Sequence, residues 1–320
     1  MTATEIVIEY CTEFPDVQTM TLAKKLYKDY PDFFKDLEDC RGKIRYRRGT
    51  HGTQHRKDAN EHIIPFTPRL PKSHAESFEP FDVKYSKILI ISDLHFPYQD
   101  NKAIELALKY GEKNKMDCIL INGDLFDFAT ISRHEKDWRH RSLVDEIDAV
   151  KEFFEYLQHR FPNVKIVFKE GNHDERFDKW LFHKSPEFFN VSGLTLKDVL
   201  KLTEKGIDYV CDRLPVKIGK LSVLHGHELN GGGGVNPARA TFTKTIANVI
   251  IGHCHRSSEN FEPTFQGEPI TTTSTGCLCG LHPMFARINK WNLGFAFVNH
   301  DIKSGDYKLD NLKIIKGKVI

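Results

Sequence analysis

The amino-acid sequence predicts an α/β fold built on two sheets and preceded by a small helical unit. Three observations predict it. Short apolar, β-branched runs alternate with helical patterns from Lys87 to about residue 169. Polar residues gather at the carboxyl ends of those runs, and beyond about residue 207 the chain becomes strand-rich. Strands alternating with amphipathic helices argue for βαβ units around a parallel sheet buried on both faces.

In chain order, residues 1–50 read as the helical unit. Thr21 is the expected cap of a helix through "LAKKLYKDY", which Pro31 ends. A second helix is expected from Asp32, with Phe33, Phe34, Leu37, Cys40 and Ile44 at helical spacing and Gly49 as its stop. Residues 51–85 carry Pro65, Pro68, Pro71 and Pro80 among His, Lys and Ser, and read as an extended linker or arm. The remaining domain, 86–320, opens with strands in "KILIISD", "DCILINGD" and "VKIVFKEGN", separated by helices near 102–115 and 142–160. Later strands, in "LSVLHGH", "ANVIIGHCH", "EPITTTST" and "NLGFAFVNH", are expected to form a second sheet packed on the first.

Composition narrows the function classes. With 320 residues, 40% hydrophobic and 28% charged, the chain suits a soluble globular protein, and a net charge of +2 excludes a polycation. Seven scattered cysteines without a C-x-x-C pair do not resemble a secreted disulfide scaffold, so a reducing compartment is expected. "MTATEIVIEY" lacks the basic start and apolar core of a signal peptide, and no apolar run approaches the ~20 residues that span a bilayer. The expectation is a cytoplasmic protein with no membrane partner.

The polar strand ends carry the chemistry. In order they are "DLH" (93–95), "GDLFD" (123–127), "GNHD" (171–174), "HGH" (225–227) and "GHCH" (252–255). In open α/β sheets that edge binds ligands. Carboxylates, imidazoles and one amide exceed what one ion needs but suit two, and this donor mix favours Mn, Fe or Zn. Two ions about 3.5–4 Å apart sharing a carboxylate form the clamp used on phosphate esters. The glycines before Asp124, Asn172 and His253 fit sharp turns leaving the strands. On an extended segment His253 and His255 would point the same way, and Cys254 oppositely into the core.

This ordered set, over roughly residues 86–300, resembles the calcineurin-like metallophosphoesterase superfamily. The resemblance implies a two-sheet α/β sandwich, a dinuclear centre and hydrolysis of phosphate esters by in-line attack of a metal-bridging hydroxide. By motif it implies Asp93, His95 and His255 on one ion, Asn172, His225 and His253 on the other, and Asp124 between them. Mn²⁺ is the first expectation for both ions, with Fe, Zn, Ni and Co as alternatives. His173 would protonate the leaving oxygen, with Asp174 orienting or tuning it. Asp127 would hydrogen-bond a metal ligand, and His227 reads as a hydrogen-bonding or turn residue.

Substrate class stays open between a nucleic-acid phosphodiester, a phosphomonoester or small nucleotide, and a non-catalytic binding scaffold. Phe128 and Ala129 follow Asp127, where protein phosphatases of the superfamily carry Arg-Gly; "GNHDER", with Arg176, resembles the diesterase and nuclease branches. Arg133, His134 and Arg139 in "SRHEKDWRHRS" either meet phosphates or line a solvated loop. Arg239, after "NGGGG", either reaches substrate or belongs to a plain surface loop. The basic tract with Arg41, Lys43, Arg45, Arg47 and Arg48 fits contact with DNA or RNA backbones, or complements a helix dipole. The N-terminal unit also resembles units preceding phosphoesterases of phage origin, which would place the protein in a host cytoplasm.

Overall fold

The computed structural model describes residues 2–49, 73, 75, 78–132, 142–188, 191–230 and 234–320. The chain divides into two compact units, Met1–Glu76 and Ser77–Ile320.

Among its described residues the first unit has three α-helices where the sequence suggested two: α1 (Ala3–Glu13), α2 (Thr19–Asp29) and α3 (Leu37–Arg47). The unforeseen α1 starts at a capping box, in which Thr2 accepts from the Glu5 amide and Glu5 accepts from the Thr2 amide. Its Ile6 and Val7 pack with Leu22, Ala23, Leu26, Phe34, Cys40 and Ile44 in a closed core. Thr21 lies inside α2, whose N-cap is Gln18. Asp32 falls in a 3-10 turn, and Asp36 caps α3 by accepting from Asp39 N at 2.8 Å. Gly49 does follow the helix, with φ of 71°.

This packing also engages much of the basic tract. Arg48 donates to the carbonyls of Phe14, at 2.7 Å, and Val17, tying α3 to the end of α1. Arg41 pairs with Glu38 at 3.0 Å, and Lys43 pairs with Asp39. For Arg45 and Arg47 no such pairing occurs among the described residues.

The second unit is an α/β sandwich of two sheets. Its strands are β1 (Phe81–Asp82), β2 (Lys87–Ile91), β3 (Cys118–Asn122), β4 (Lys165–Lys169), β5 (Asp208–Val210), β6 (Val216–Ile218), β7 (Leu221–Val223), β8 (Val249–Ile251), β9 (Ser258–Pro263), β10 (Pro269–Ser274), β11 (Gly294–His300), β12 (Tyr307–Ile315) and β13 (Lys318–Val319). One sheet runs β13-β12-β11-β2-β3-β4-β5 and the other β1-β6-β7-β8-β10-β9. The late strands therefore divide: β5 and β11–β13 extend the first sheet, while β1, at the end of the stretch read as an arm, joins the second. Strands β2 to β5 are parallel, as the βαβ rhythm requires.

Alternation explains why β2 is apolar throughout. Leu89 and Ile91 face the core shared with helices α4 (Asn101–Lys113) and α5 (Leu143–Arg160). Ile88 and Ile90 face the other way, against Val216, Ile218, Val223 and Ile250 of the second sheet. With both faces buried, the carboxyl ends of the strands and the loops that follow them are where polar side chains collect.

Candidate metal centre

The polar residues of all five motifs converge there. Asp93 and His95 follow β2, Asp124 follows β3, Asn172 follows β4, His225 follows β7, and His253 and His255 follow β8. Asp93, His95, Asp124, His253 and His255 all have left-handed backbones, with φ between 50° and 60°. Asp and His enter that region more readily than most residues, yet each such placement is strained by about 1–3 kcal/mol and persists only when its surroundings enforce it. His253 and His255 are thus aimed by turns rather than by strand alternation. Their rings part, His253 lying 5.2 Å from the His225 ring and His255 5.0 Å from that of His95.

Of the four groups of potential ligands among the described residues, two share the Asp124 carboxylate. Asp93, His95, Asp124 and His255 form one; Asp124, His225 and His253 form the other, with the ligand atoms of each group within 4.8 Å of one another. In the first, His255 Nε2 lies 3.1 Å from both His95 Nε2 and Asp93 Oδ1, and His95 Nε2 lies 3.7 Å from Asp124 Oδ2. Ligands about 2.1 Å from a common ion stand roughly 3.0–3.4 Å apart. In the second, His225 Nε2 is 3.2 Å from Asp124 Oδ2. Asp124 can serve both because its other oxygen is already held, accepting from the His173 amide at 2.8 Å.

The chemistry of these donors fits cations. His225 Nδ1 donates to the Asn122 carbonyl at 2.8 Å, which turns Nε2 inward. There Nε2 is buried without a hydrogen-bond partner, and Asn172 Oδ1 is buried in the same condition. The Asn172 oxygen calls for a donor or a cation, and His225 Nε2, 3.2 Å from Asp124 Oδ2 and 3.9 Å from Asp93 Oδ1, calls for a proton or a cation between them. Protons fill that role in the metal-free protein. Burial works against a charged imidazole, but the neighbouring aspartates raise His95 to about 9 and His225 to about 10. Burial would raise the Asp93 carboxyl, yet His255 and His225 hold it down to about 2.

Asp93 is further fixed by the His253 amide, 3.1 and 3.0 Å from its two oxygens, and by Ser92 Oγ at 2.6 Å from Oδ2. Of the glycines before Asp124, Asn172 and His253, only Gly123 has a positive φ, 82°. Gly171 and Gly252 are required by close approach instead: a Cβ would collide with Asp124 at the first and with Ser92 and Asp93 at the second.

The other candidates take distinct places. Asp127 Oδ1 lies 3.3 Å from His95 Nδ1, the position of a carboxylate that orients a ligating imidazole. His173 directs Nδ1 to the Asp127 carbonyl at 2.8 Å, while Arg176 meets its Nε2 at 3.0 Å and the same carbonyl at 2.8 Å. Burial lowers the His173 imidazole to about 4. Asp174, expected to orient that ring, is fully buried and instead accepts from the amides of Phe126, at 3.0 Å, and Gly171, at 2.8 Å. It fastens the second motif to the third, and the His173 ring is oriented by Asp127 and Arg176.

His227 pairs with Glu175 at 2.8 Å, and Glu175 also meets Arg213 at 3.1 Å. Arg239 is exposed in the first turn of a helix, Pro237–Thr245, capped by Asn236. Arg133, His134 and Arg139 lie outside the described residues.

Sequence reasoning missed the support beneath "HGH". Lys169, fully buried at the end of β4, pairs with Glu228 at 2.6 Å. Glu228 accepts from the amides of His225, at 3.1 Å, and Gly226, at 2.6 Å. The signal was present: a lysine ending the apolar strand "KIVFK" needs a buried partner.

A family model described as calcineurin-like phosphoesterase matches residues 86–265, more than half of the chain. The chain belongs to the calcineurin-like phosphoesterase family, a class of metal-dependent hydrolases of phosphate esters. Its curated relatives include the Gene 54 proteins of Mycobacterium phages L5 and D29, 28% and 26% identical over 182 residues, covering 53% of this chain and 69% of each relative. Among solved structures, Vacuolar Protein Sorting 29 from Cryptosporidium parvum aligns with 16% identity and a TM-score of 0.41, covering 74% of this chain and 95% of that one. No helix among the described residues is long and apolar enough to cross a membrane.

Proposed function

We propose that this phosphoesterase is a dinuclear phosphodiesterase, acting on DNA or RNA in the host cytoplasm. The observation that carries the dinuclear reading is Asp124, one carboxylate common to two groups of buried ligand atoms. One ion is assigned to Asp93, His95 and His255, and the other to Asn172, His225 and His253. The donors, carboxylates and imidazoles with one amide, favour Mn²⁺ over Ca²⁺ or a thiolate-seeking ion. Two such cations would supply charge neutralisation on the phosphoryl group and activation of the nucleophile at neutral pH.

The protein's own groups manage the rest. Asp127 and the Asn122 carbonyl hold the His95 and His225 rings with Nε2 inward. His173 is assigned the leaving oxygen through Nε2, since Nδ1 meets the Asp127 carbonyl, and Arg176, 3.0 Å from Nε2, must give way to it. The lowered proton affinity of His173 must rise as an anionic ester arrives, which also draws Arg176 toward the phosphate.

A diester is favoured because the Arg-Gly of the protein phosphatases is replaced by Phe128 and Ala129, with Phe128 buried. Contact with a nucleic-acid backbone is assigned in the first unit to Arg45 and Arg47. The phage origin of the curated relatives supports the host location.

The test is full-length protein stripped of metal and reloaded with Mn²⁺, assayed on an aryl diester, an aryl monoester, DNA and RNA. Two ions per chain, a preference for diesters and loss of nearly all hydrolysis in Asp124→Asn are expected. Full activity in excess chelator would defeat the dinuclear reading, and activity confined to the monoester would defeat the substrate.

A further inference from the structure

His253 also borders a cavity of about 320 Å³, whose other lining residues are Cys254, Arg256, Lys290 and Trp291. Its wall is tied to the ligand-bearing turn. The Trp291 ring lies 4.2 Å from that of His255, at 64°. The next residue, Asn292, donates its amide to the His255 carbonyl at 3.0 Å and accepts from Ser257 N at 2.8 Å. Asn289 closes the preceding loop, donating to the carbonyls of Leu281 and Ala286, each at 2.6 Å, and accepting from Trp291 N at 2.8 Å. Trp291 is therefore fixed to the turn that aims His253 and His255.

Among the described residues the lining holds two cations and an indole, and no carboxylate. Arg256 gives one terminal nitrogen to the Gly234 carbonyl at 2.6 Å, while its Nε is buried without an acceptor. Phe285 stands beside this wall, 79% exposed and 6.3 Å from the Trp291 ring. An aromatic platform flanked by Arg and Lys suits a ligand that joins a flat π system to an anion. The volume lies at the small-ligand end of the usual range of pockets.

We infer that this cavity is a nucleotide subsite, which takes the nucleoside next to the scissile phosphate. The base lies against Trp291, and phosphate charge falls on Arg256 and Lys290. The inference rests on the phosphoesterase reading for the position of that phosphate.

Two measurements on the metal-loaded full chain test it. The first is the ratio of kcat/KM for the p-nitrophenyl ester of thymidine 5′-phosphate to that for ethyl p-nitrophenyl phosphate. The leaving group is the same in both, so any disturbance of His255 cancels in the ratio. The wild-type ratio should be roughly tenfold or more, as base stacking on an aromatic ring implies. Trp291→Ala should bring it near one, and Trp291→Phe should retain most of it. The second measurement is calorimetric binding of thymidine and thymidine 5′-monophosphate. Trp291→Ala should weaken both, whereas Lys290→Ala should weaken only the nucleotide.

A wild-type ratio near one, or nucleotide binding unaltered in both variants, overturns the subsite. So does binding of a phosphoserine peptide in preference to the nucleotide. If neither ester is hydrolysed but nucleotide binds in the Trp291-dependent manner, the subsite stands and the phosphodiesterase reading falls.

Discussion

Asp127→Asn should change the number of protons that metal binding expels. In the metal-free protein His95 is raised to about 9 and His225 to about 10, so both rings carry an extra proton at pH 7. An ion reaches their Nε2 atoms only after those protons leave. At 1.36 kcal/mol per pH unit, the displacement at pH 7 costs about 3 kcal/mol at His95 and about 4 kcal/mol at His225. The sign follows directly. Apparent affinity rises with pH, by up to about one logarithmic unit per pH unit for each ion and two for the pair together, and levels off once pH has passed both values. At His95, burial favours the neutral ring, and the opposing influences begin with the hydrogen bond to Asp127. Asparagine removes that charge from a position 3.3 Å from Nδ1, so the proton affinity of His95 should fall toward its unperturbed value or below. Protons released at pH 7 should drop from about two to about one, and the affinity of the first ion should weaken about 10- to 100-fold through loss of the orienting carboxylate. Calorimetric titration of Mn²⁺ into stripped protein, in buffers of different ionisation enthalpy, counts the protons. Wild-type binding that expels none, or a variant that still expels two, would refute the reasoning.

Two further outcomes are expected. His173→Ala should keep both ions while losing about 10²- to 10⁴-fold in hydrolysis, with smaller losses for good leaving groups; equal losses across a leaving-group series would remove the proton-donor role. Neutralising Arg45 and Arg47 together should reduce the log–log salt slope of nucleic-acid binding by about two, whereas Arg48→Ala should lower the thermal stability of the first unit; an unchanged slope would exclude backbone contact through α3.

Much of this architecture was legible because its local signals agree with its long-range ones. Strands β2, β3 and β4 and helices α4 and α5 fall within three residues of their expected limits, since their apolar periods are those of a sheet buried on both faces. The assignment of late strands to sheets was not legible. "NLGFAFVNH" carries no mark that makes β11 pair with β2 instead of entering the second sheet, because both sheets offer apolar faces and partner choice depends on the closed topology. Helix α1 was missed despite a readable cap at Thr2 and Glu5. Its pattern "ATEIVIEY" is rich in β-branched residues, and packing of Ile6 and Val7 against α2 and α3 overrides that propensity. The helix after "GGGG" was likewise announced by Asn236 and Pro237, a cap followed by proline at its first position.

The ligand set was legible as residue types, but the means of aiming them was not. An extended chain would point His253 and His255 together into one ion's shell. Left-handed turns send them to different groups instead, and the sequence signals this only through the tolerance of Asp and His for such backbones. Strain at five ligand positions needs enforcement, and it comes from residues with no ligand role. Asp174 clamps the second motif to the third, Glu228 and Lys169 brace the fourth, and Gly252 lets Ser92 press against the fifth. Of the orphaned atoms, Asn172 Oδ1 lacks a donor or a cation, and His225 Nε2, beside the Asp124 carboxylate, lacks positive charge. Protons supply it in the free protein, which is why the proton count of metal binding reports on the same geometry that the strain maintains.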